Sequence, residues 1–322
     1  MKRITRYLTI LLAAWSCQLA AQTYPSKPIK VIVPYPAGGY YDFVARTLGQ
    51  KIAEELAQPV IVENRAGANG ILGAEYVAKS ASDGYTLLLG GIGPNAINGV
   101  LYAKLPYDPV RDFAPIIHVS DMPNVLVLHP SVKARTLEEL ITLARAKPGE
   151  LSYASNGVGS SPHLSAEMFA AAMGVQLNHI PFKGAAPATT AILGGQTQMW
   201  FGPAREVLPH VRAGKLHALV VTSAKRIESF PDVPTMIEVG VPDFEAVGWF
   251  AYFAPAGTPR DIIVMLNTLI NKALAMPDVR QRLIGQGTAY LVGGTPDALA
   301  NLVKTEMVKW ANVVKKAGVK AN

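Results

Sequence analysis

From residue 29 onward the chain alternates short apolar runs with stretches in which apolar residues return every three or four positions. Residues 29–33 (IKVIV) have the continuous apolar pattern of a buried strand. Val44, Leu48, Ile52 and Leu56 then recur at helical spacing and predict a helix over 42–56. Residues 60–62 predict a second strand, 71–81 a second helix and 85–89 a third strand. Short β-α-β units with apolar strands imply a parallel sheet covered by helices.

The rhythm then changes. Residues 113–119 and 124–128 read as two adjacent strands without a long helix between them, which predicts a first passage into another domain. Beyond it, Thr136 and Glu139 form a capping box for a helix that runs to 146. Strands are expected over 151–154, 178–182, 198–201 and 216–222, with helices over 187–193 and 207–213. Ser161-Pro162 opens a further helix, with serine as the cap and proline at the first helical position. The apolar run GWFAYFAPAGTP from Gly248 predicts the return passage. Thr258-Pro259 and Thr295-Pro296 open tail helices, the second running to 316. A tail with few strands of its own packs back on the first domain. The expected organisation is residues 22–121 plus 249–322 as a discontinuous first domain and 122–248 as the second. Two crossovers between them act as a hinge.

Residues 1–21 stand outside this pattern. Lys2, Arg3 and Arg6 give a basic start, 7–15 is a short apolar run, and Ala20 and Ala21 are small. This reads as a secretory signal peptide cut after Ala21, since the run is too short to cross a bilayer. Leu19 occupies a place where a small residue is preferred. Cys17 raises a lipoprotein alternative, for which Ala14-Trp15-Ser16 is a poor attachment box. Cys17 is the only cysteine, so the exported chain has no disulfides and relies on its core. That core is ample in 322 residues that are half hydrophobic. Of the net charge of +7, three cations lie in the leader, leaving about +4. With no lysine or arginine run, this is a mildly basic surface and nucleic acid is not an expected partner.

The candidate chemistry lies in two loops. VIVPYPAGGYYDF, from Val31, is strand, glycine turn and helix start. Free amides at a helix start, with the helix dipole behind them, make an anion site that glycines let a ligand approach. A nucleotide phosphate does not fit: no Gly-x-x-x-x-Gly-Lys run exists, and GVGSSP from Gly157 has Pro162 in place of the third dinucleotide-binding glycine. The same architecture returns in LSYASNGVGSSPHLSAEMF, from Leu151. Two such loops facing one cleft clamp a small carboxylate from both sides without catalytic side chains; singly, each is also an ordinary strand-to-helix turn.

These stretches carry a resemblance. PYPAGGYYD at 34, VENRAGANGILGAEYVAKSASDGYTLLLG at 62, AIN at 96, SNGVGSSPHL at 155, IPFKGAAPATTAILGGQTQMWF at 180 and GWFAYFAPAGTP at 248 together resemble the Bug receptors of tripartite tricarboxylate transporters. The resemblance spans essentially the whole mature chain. It implies an α/β, two-lobed periplasmic binding protein fold of type II, each lobe a mixed sheet flanked by helices, closing on a carboxylate held by backbone amides and waters. The ligand loops it implies are Pro36, Ala37, Gly38, Gly39, Tyr40, Tyr41 and Asp42 in the first lobe and Ser155, Gly157, Gly159, Ser160 and Ser161 in the second. Gly93 and Asn95 are expected to form another wall.

Three departures from the family pattern bear on the ligand. Tyr40 and Tyr41 stand where small or hydroxylated residues are usual, which suggests a short or flat ligand. Gly202 replaces an aspartate common in relatives, which removes a counter-charge for an ammonium group. Asn95 replaces a frequent histidine.

Other residues have two readings. Asp42 touches the ligand or, preferably, caps the helix and braces its loop. His163 reaches the cleft or, preferably, packs beneath the loop. Lys183, beside Gly184, pairs a ligand carboxylate or is solvated. Trp249 lines the cleft or is core with its N–H satisfied. Phe201 is the expected pocket wall at the end of its strand. Ser160 and Ser161 beside His163 lack the Gly-x-Ser-x-Gly elbow of a hydrolase, and the scattered histidines form no zinc motif. The reading is thus a periplasmic, monomeric, non-enzymatic receptor for a small organic carboxylate. It has no cofactor and delivers its ligand to a membrane permease. An exported esterase or lyase using the same cleft, and a ligand-sensing partner of a signalling protein, are the alternatives.

Overall fold

Val31, Val33, Leu87 and Leu89 are fully buried, and the strands that carry them lie side by side in the computed structural model, which describes residues 24–319. The leader, its cleavage point and Cys17 fall outside the described residues. The first lobe begins with β1 (Ile29–Val33), α1 (Tyr40–Leu56), β2 (Val60–Asn64), α2 (Ile71–Ala78) and β3 (Thr86–Gly91). The three strands are parallel in the order β2-β1-β3, with Val31 opposite Val62 and Leu87. A π-turn over Gly93–Ile97 leads into the short α3 (Asn98–Leu101).

β4 (Phe113–Leu128) follows, then α4 (Leu137–Ala146), β5 (Ser152–Ser155), α5 (Ser161–Met173), β6 (Asn178–Pro181), α6 (Ala185–Leu193), β7 (Met199–Pro203), α7 (Ala204–Arg212) and β8 (His217–Val221). The chain returns through β9 (Val247–Pro255) and ends with α8 (Arg260–Ala275), α9 (Pro277–Ile284), β10 (Tyr290–Leu291) and α10 (Pro296–Ala317). The full strand order is β2-β1-β3-β9-β4-β7-β5-β6, with β8 and β10 also pairing with β4.

β4 joins the two sheets. Phe113 to Pro123 pair antiparallel with β9, and Asn124 to Leu128 pair with β7 and β8. The two strands expected over 113–119 and 124–128 are therefore one of 16 residues. The intervening Ser120, Asp121, Met122 and Pro123 stay paired with Phe250, Trp249, Gly248 and Val247. Pro123, which has no N–H to give a ladder, stands where the strand leaves one sheet for the other. The return path is tied to the same point: Thr222 N–H donates to Asn124 O (3.0 Å), and Thr222 Oγ1 donates to Ala246 O (2.7 Å).

Two caps move by one residue from the expected positions. Ser160, not Ser161, caps α5, because Ser161 Oγ accepts instead from Asn124 Nδ2 at 2.8 Å. Pro259, not Thr258, precedes α8, because Thr258 Oγ1 turns back onto Pro255 O at 2.7 Å. Thr136 and Glu139 do form the capping box of α4, and Thr295 caps α10 through Ala298 N–H. One core lies between α1, α8 and the first sheet, and a second beneath α6 and α7. A third runs between the lobes through Phe169, Phe201, Trp249, Phe253 and Trp310.

Candidate ligand-binding site

A cavity of about 380 Å³ opens where β4 changes sheets, with Met122, Asn124, Gly248 and Phe250 in its wall. That volume is in the range of small-molecule sites, roughly 300–1,000 Å³.

The first-lobe loop supplies Pro36, Ala37, Gly38, Gly39, Tyr40 and Tyr41. Gly38 has φ +85°, a left-handed conformation that a side chain would strain. Gly39 caps α1 with no side chain bonded to the helix start, so the first amides are open. Asp42 does not line the cavity. Its Oδ2 accepts Gly38 N–H at 3.1 Å, and both its oxygens accept Arg46 Nε at 3.0 Å. Burial alone pushes the Asp42 carboxyl up, but Arg46, the Gly38 amide and Asn64 together bring it below its ordinary value. Asp42 is therefore the brace of the loop. Behind it, Asn64 Nδ2 donates to Tyr35 O at 3.1 Å.

Tyr40 and Tyr41 diverge. Tyr40 Oη turns into the core, donates to Leu283 O (3.3 Å) and accepts from Ser120 Oγ (3.2 Å). The Tyr41 ring lies 4.5 Å from Tyr35 and 4.5 Å from Phe250, and the three rings form an aromatic wall. Gly93 adds to the wall beside Ile92. Asn95 does not: it is fully buried, and its Oδ1 accepts Gly91 N–H at 3.0 Å, which holds the turn that presents Gly93.

The second-lobe loop contributes Asn156, Ser160, Ser161 and Pro162. Ser155, Gly157 and Gly159 lie behind that surface. Ser155 Oγ meets His179 Nε2 at 2.6 Å and accepts Gly157 N–H at 3.2 Å. Gly159 N–H donates to His163 Nδ1 at 3.1 Å, which leaves the imidazole proton on Nε2. The His163 and His179 rings stack at 4.0 Å, with Tyr153 stacked on His179 at 4.8 Å. Burial, then His179, brings His163 down to about 3; burial brings His179 down to about 4. Both rings are neutral braces beneath the loop. Neither Ser160 nor Ser161 bonds an imidazole nitrogen of His163, and Ser155, which does touch His179, is buried away from the cavity.

Two further helix starts enter the wall: one carries the expected site residues Lys183 and Gly184, and the other, with Pro203 and Glu206, was not expected there. Gly184, with Lys183 and residues 185–187, opens α6; Pro203, with Glu206, opens α7. Neither start has a side-chain cap. Residues at the starts of α1, α5, α6 and α7 thus line one cavity, which puts the positive dipole ends of four helices beside it. The signals for the last two were a glycine before Ala-Ala-Pro and a proline before Ala-Arg-Glu, each marking an abrupt helix entry.

Besides Asp42, Asn95, Ser155, Gly157 and Gly159, three more expected site residues do not line the cavity. Phe201 is fully buried and packs on Phe169 with ring centres 5.6 Å apart, because both faces of β7 are covered. Gly202, beside it, is closed in by the side chains of Val207 and Trp200, where a Cβ has no room. Trp249 is core: its Nε1 donates to Glu306 Oε2 at 3.2 Å.

Two polar atoms in the cavity wall have no protein partner, Asn156 Oδ1 and Glu206 Oε2. Burial raises Glu206 to about 7, against the smaller pull of its own backbone N–H and Arg205. Lys183 is exposed. The site therefore offers open amides, an aromatic wall, a few uncommitted polar groups and no nucleophile–base pair among the described residues that line it.

Comparison with known proteins agrees with this architecture. The family model described as tripartite tricarboxylate transporter family receptor matches residues 44–319. The chain is 42% identical to protein BugT of Bordetella pertussis over 323 residues, 98% of this chain and 99% of that protein. A Rhodopseudomonas palustris protein solved with adipate superposes with a TM-score of 0.86 at 35% identity, covering 92% of this chain and 99% of the other. MatC of Rhodopseudomonas palustris, solved with bound malate, gives 0.84 at 34% identity, with 90% and 100% covered. The periplasmic binding protein BugD gives 0.85 at 35% identity, with 93% and 100% covered.

Proposed function

The chain belongs to the tripartite tricarboxylate transporter receptor family, and we propose that it acts in the periplasm by clamping a small organic carboxylate between its lobes. The observation that carries this reading is the convergence of four helix starts from two lobes on one cavity. A carboxylate there accepts hydrogen bonds from amides of both lobes at once, and such charge-assisted bonds are roughly twice as strong as neutral ones. Contacts made to both lobes exist only when the lobes are together, so the ligand favours the closed state by that difference in affinity.

In this reading residues 22–121 plus 249–322 and residues 122–248 are the two moving bodies. They meet where β4 changes partners after Pro123 and where β9 begins at Val247. The ligand contacts are the loop Pro36–Gly39, Tyr41, Gly93, Ser160, Ser161 and Gly184. Asp42, Ser155 and the loop glycines Gly157 and Gly159 act from behind. A signal peptide over 1–21 sends the chain to the periplasm, and the closed receptor passes its ligand to a tripartite tricarboxylate-type permease. The adipate and malate of the two solved relatives support a carboxylate as ligand.

Residues 22–322 are to be tested by thermal denaturation against mono-, di- and tricarboxylates, amino acids and aromatic acids. Ligand at about a hundred times its dissociation constant adds roughly 2.7 kcal/mol, a rise of several degrees. Gly39→Leu should abolish that rise and leave the unliganded melting temperature nearly unchanged. An added Cβ at Gly39 meets only Pro36 O, at 3.8 Å, and the rest of the side chain enters the cavity. A carboxylate that still stabilises Gly39→Leu binds somewhere else, and no response to any carboxylate overturns the reading.

A further inference from the structure

Glu206 is the one acidic side chain in the cavity wall among the described residues, and clamping by backbone amides gives it no role. It lies in the first turn of α7, and its Oε2 is buried without a hydrogen-bond partner. No lysine or arginine pairs with it within 4.0 Å among the described residues. The adjacent Arg205 instead lays its guanidinium 4.2 Å from the centre of the Phe43 ring on the other lobe. An ionised carboxylate without a partner is costly at such a site, whereas a neutral carboxyl is not and brings an O–H donor.

Resting on the carboxylate reading above, we propose that the ligand is a dicarboxylate and that Glu206, as the neutral acid, donates its O–H to one of the ligand's carboxylate oxygens, so that ligand and one proton bind together. The helix starts satisfy one carboxylate; Glu206 answers the other. Hydrogen bonds from a carboxylic acid to a carboxylate are short and strong. No bond in the ligand changes. The proton stays on Glu206 and, where Glu206 was ionised, comes from solvent. Two solved relatives hold dicarboxylates, adipate and malate.

The other charged and titratable groups around Glu206 are consistent with this. Arg205 is on its own helix; Lys183 precedes α6; Tyr35, Tyr40 and Tyr41 come from the first lobe; on β4, Asp121 is paired with His118 at 2.7 Å. None forms an ion pair with the carboxyl. Burial holds the carboxyl of the free Glu206 up, at about 7. A second negative charge from the ligand raises the value further. Affinity is then level well below pH 7, where the proton is already in place, and falls by up to about tenfold per pH unit above it.

The test is calorimetric titration of residues 22–322 with adipate and with malate from pH 6 to 9, where both are predominantly dianions, with the protons bound by the free ligand near pH 6 subtracted, in buffers of different ionisation enthalpy. The expected result is uptake that approaches one proton per ligand as pH rises and affinity that weakens by about tenfold or more across the range. Glu206→Gln keeps a donor without a titrating proton. It should bind within tenfold of wild type at pH 6, since an amide N–H is a weaker donor than the acid, show no uptake and be level to pH 9. Binding by wild type that is pH-independent and proton-free overturns the proposal. So does a loss of tenfold or more in Glu206→Gln at pH 6, or equal affinity for monocarboxylates of the same length. If Glu206→Gln loses binding while amino acids bind wild type, Glu206 is an ionised counter-charge for ammonium. If no carboxylate binds either protein, the receptor reading itself fails, and this proposal with it.

Discussion

The loop that opens α1 and the loop that opens α5 do the same job with opposite electrostatics. In the first, a charged carboxylate holds the glycine turn: Asp42 accepts Gly38 N–H and is itself held by Arg46. In the second, an uncharged imidazole does so: His163 Nδ1 accepts Gly159 N–H and stacks on His179. Their surroundings differ as well. A Cβ on Gly38 or Gly39 meets almost nothing, whereas one on Gly159 stands 2.6 Å from Leu101 and 3.0 Å from Asn69 of the first lobe. The first loop is braced along its own helix and open at its tip. The second is braced by a stack of rings and pressed against the opposite lobe. The charged brace reaches water through Arg46, whose side chain is 55% exposed, while the Asp42 carboxylate itself is buried. A loop packed between lobes has no water to solvate a charge, so a neutral acceptor costs less there.

The largest break in this comparison is Gly159→Ala. Gly159 has φ +77°, and its added methyl collides with Leu101. Left-handed strain of about 1–3 kcal/mol adds to overpacking of similar size, giving a loss of about 4 kcal/mol. Gly39→Ala, with φ −79° at that residue and open space, should cost under about 0.5 kcal/mol. Chemical denaturation of the two variants measures the contrast. Equal losses would mean that the second loop is not pressed on the first lobe.

Acid is the next test, because the two braces respond differently. His163 and His179 have folded-state values below the ordinary histidine value. Their stabilisation is complete above about 6.5 and is lost as pH falls toward 3–4. Between pH 7.5 and 5 this should remove about 3 kcal/mol. Glu206 acts with the opposite sign: its carboxyl is held up, so it stabilises the fold on acidification. That contribution cancels when wild type is compared with His163→Phe/His179→Phe. The wild type should show the acid loss and the double variant should not. Identical pH profiles would mean that the imidazoles are solvated and not buried braces.

Much of this contrast was legible in the chain and part was not. The alternation of apolar strands and helically spaced residues located nearly every element, because these runs are buried and periodic. The two glycine loops were visible as strand-to-turn-to-helix junctions. Of the second pair of helix starts, Lys183-Gly184 was legible as a candidate ligand contact, whereas Pro203-Ala204 looks like an ordinary turn until the fold brings it to the same cavity. Phe201 is expected as a pocket wall from the end of its strand, and Trp249, at the return crossover, reads equally as cleft lining or core. A strand covered on both faces buries such residues equally well, and local pattern does not distinguish the two. Glu206 reads in sequence as the polar face of an amphipathic helix. In the fold it lines the cavity with one carboxyl oxygen buried and without a partner.

The smallest effect sharpens the comparison most. Asp42→Asn keeps an amide oxygen to accept Gly38 N–H but loses the charge that pairs with Arg46. With Arg46 largely in solvent, the loss should be about 1 kcal/mol. Its pH dependence separates it from the histidine loop. The Asp42 carboxyl lies below its ordinary value, so its stabilisation is present above the unfolded carboxylate value and fades only as pH falls through the lower folded one. The difference between wild type and Asp42→Asn should therefore stay constant from pH 8 to 5, the range in which the histidine brace weakens. Amide exchange of Gly38 and Gly159 reads both loops in one molecule. At pH 5, after correction for the intrinsic rate, Gly159 should have lost protection relative to pH 7.5, and Gly38 should not. Equal loss at both amides would show that the loops open together with the whole fold and that the two braces are not independent.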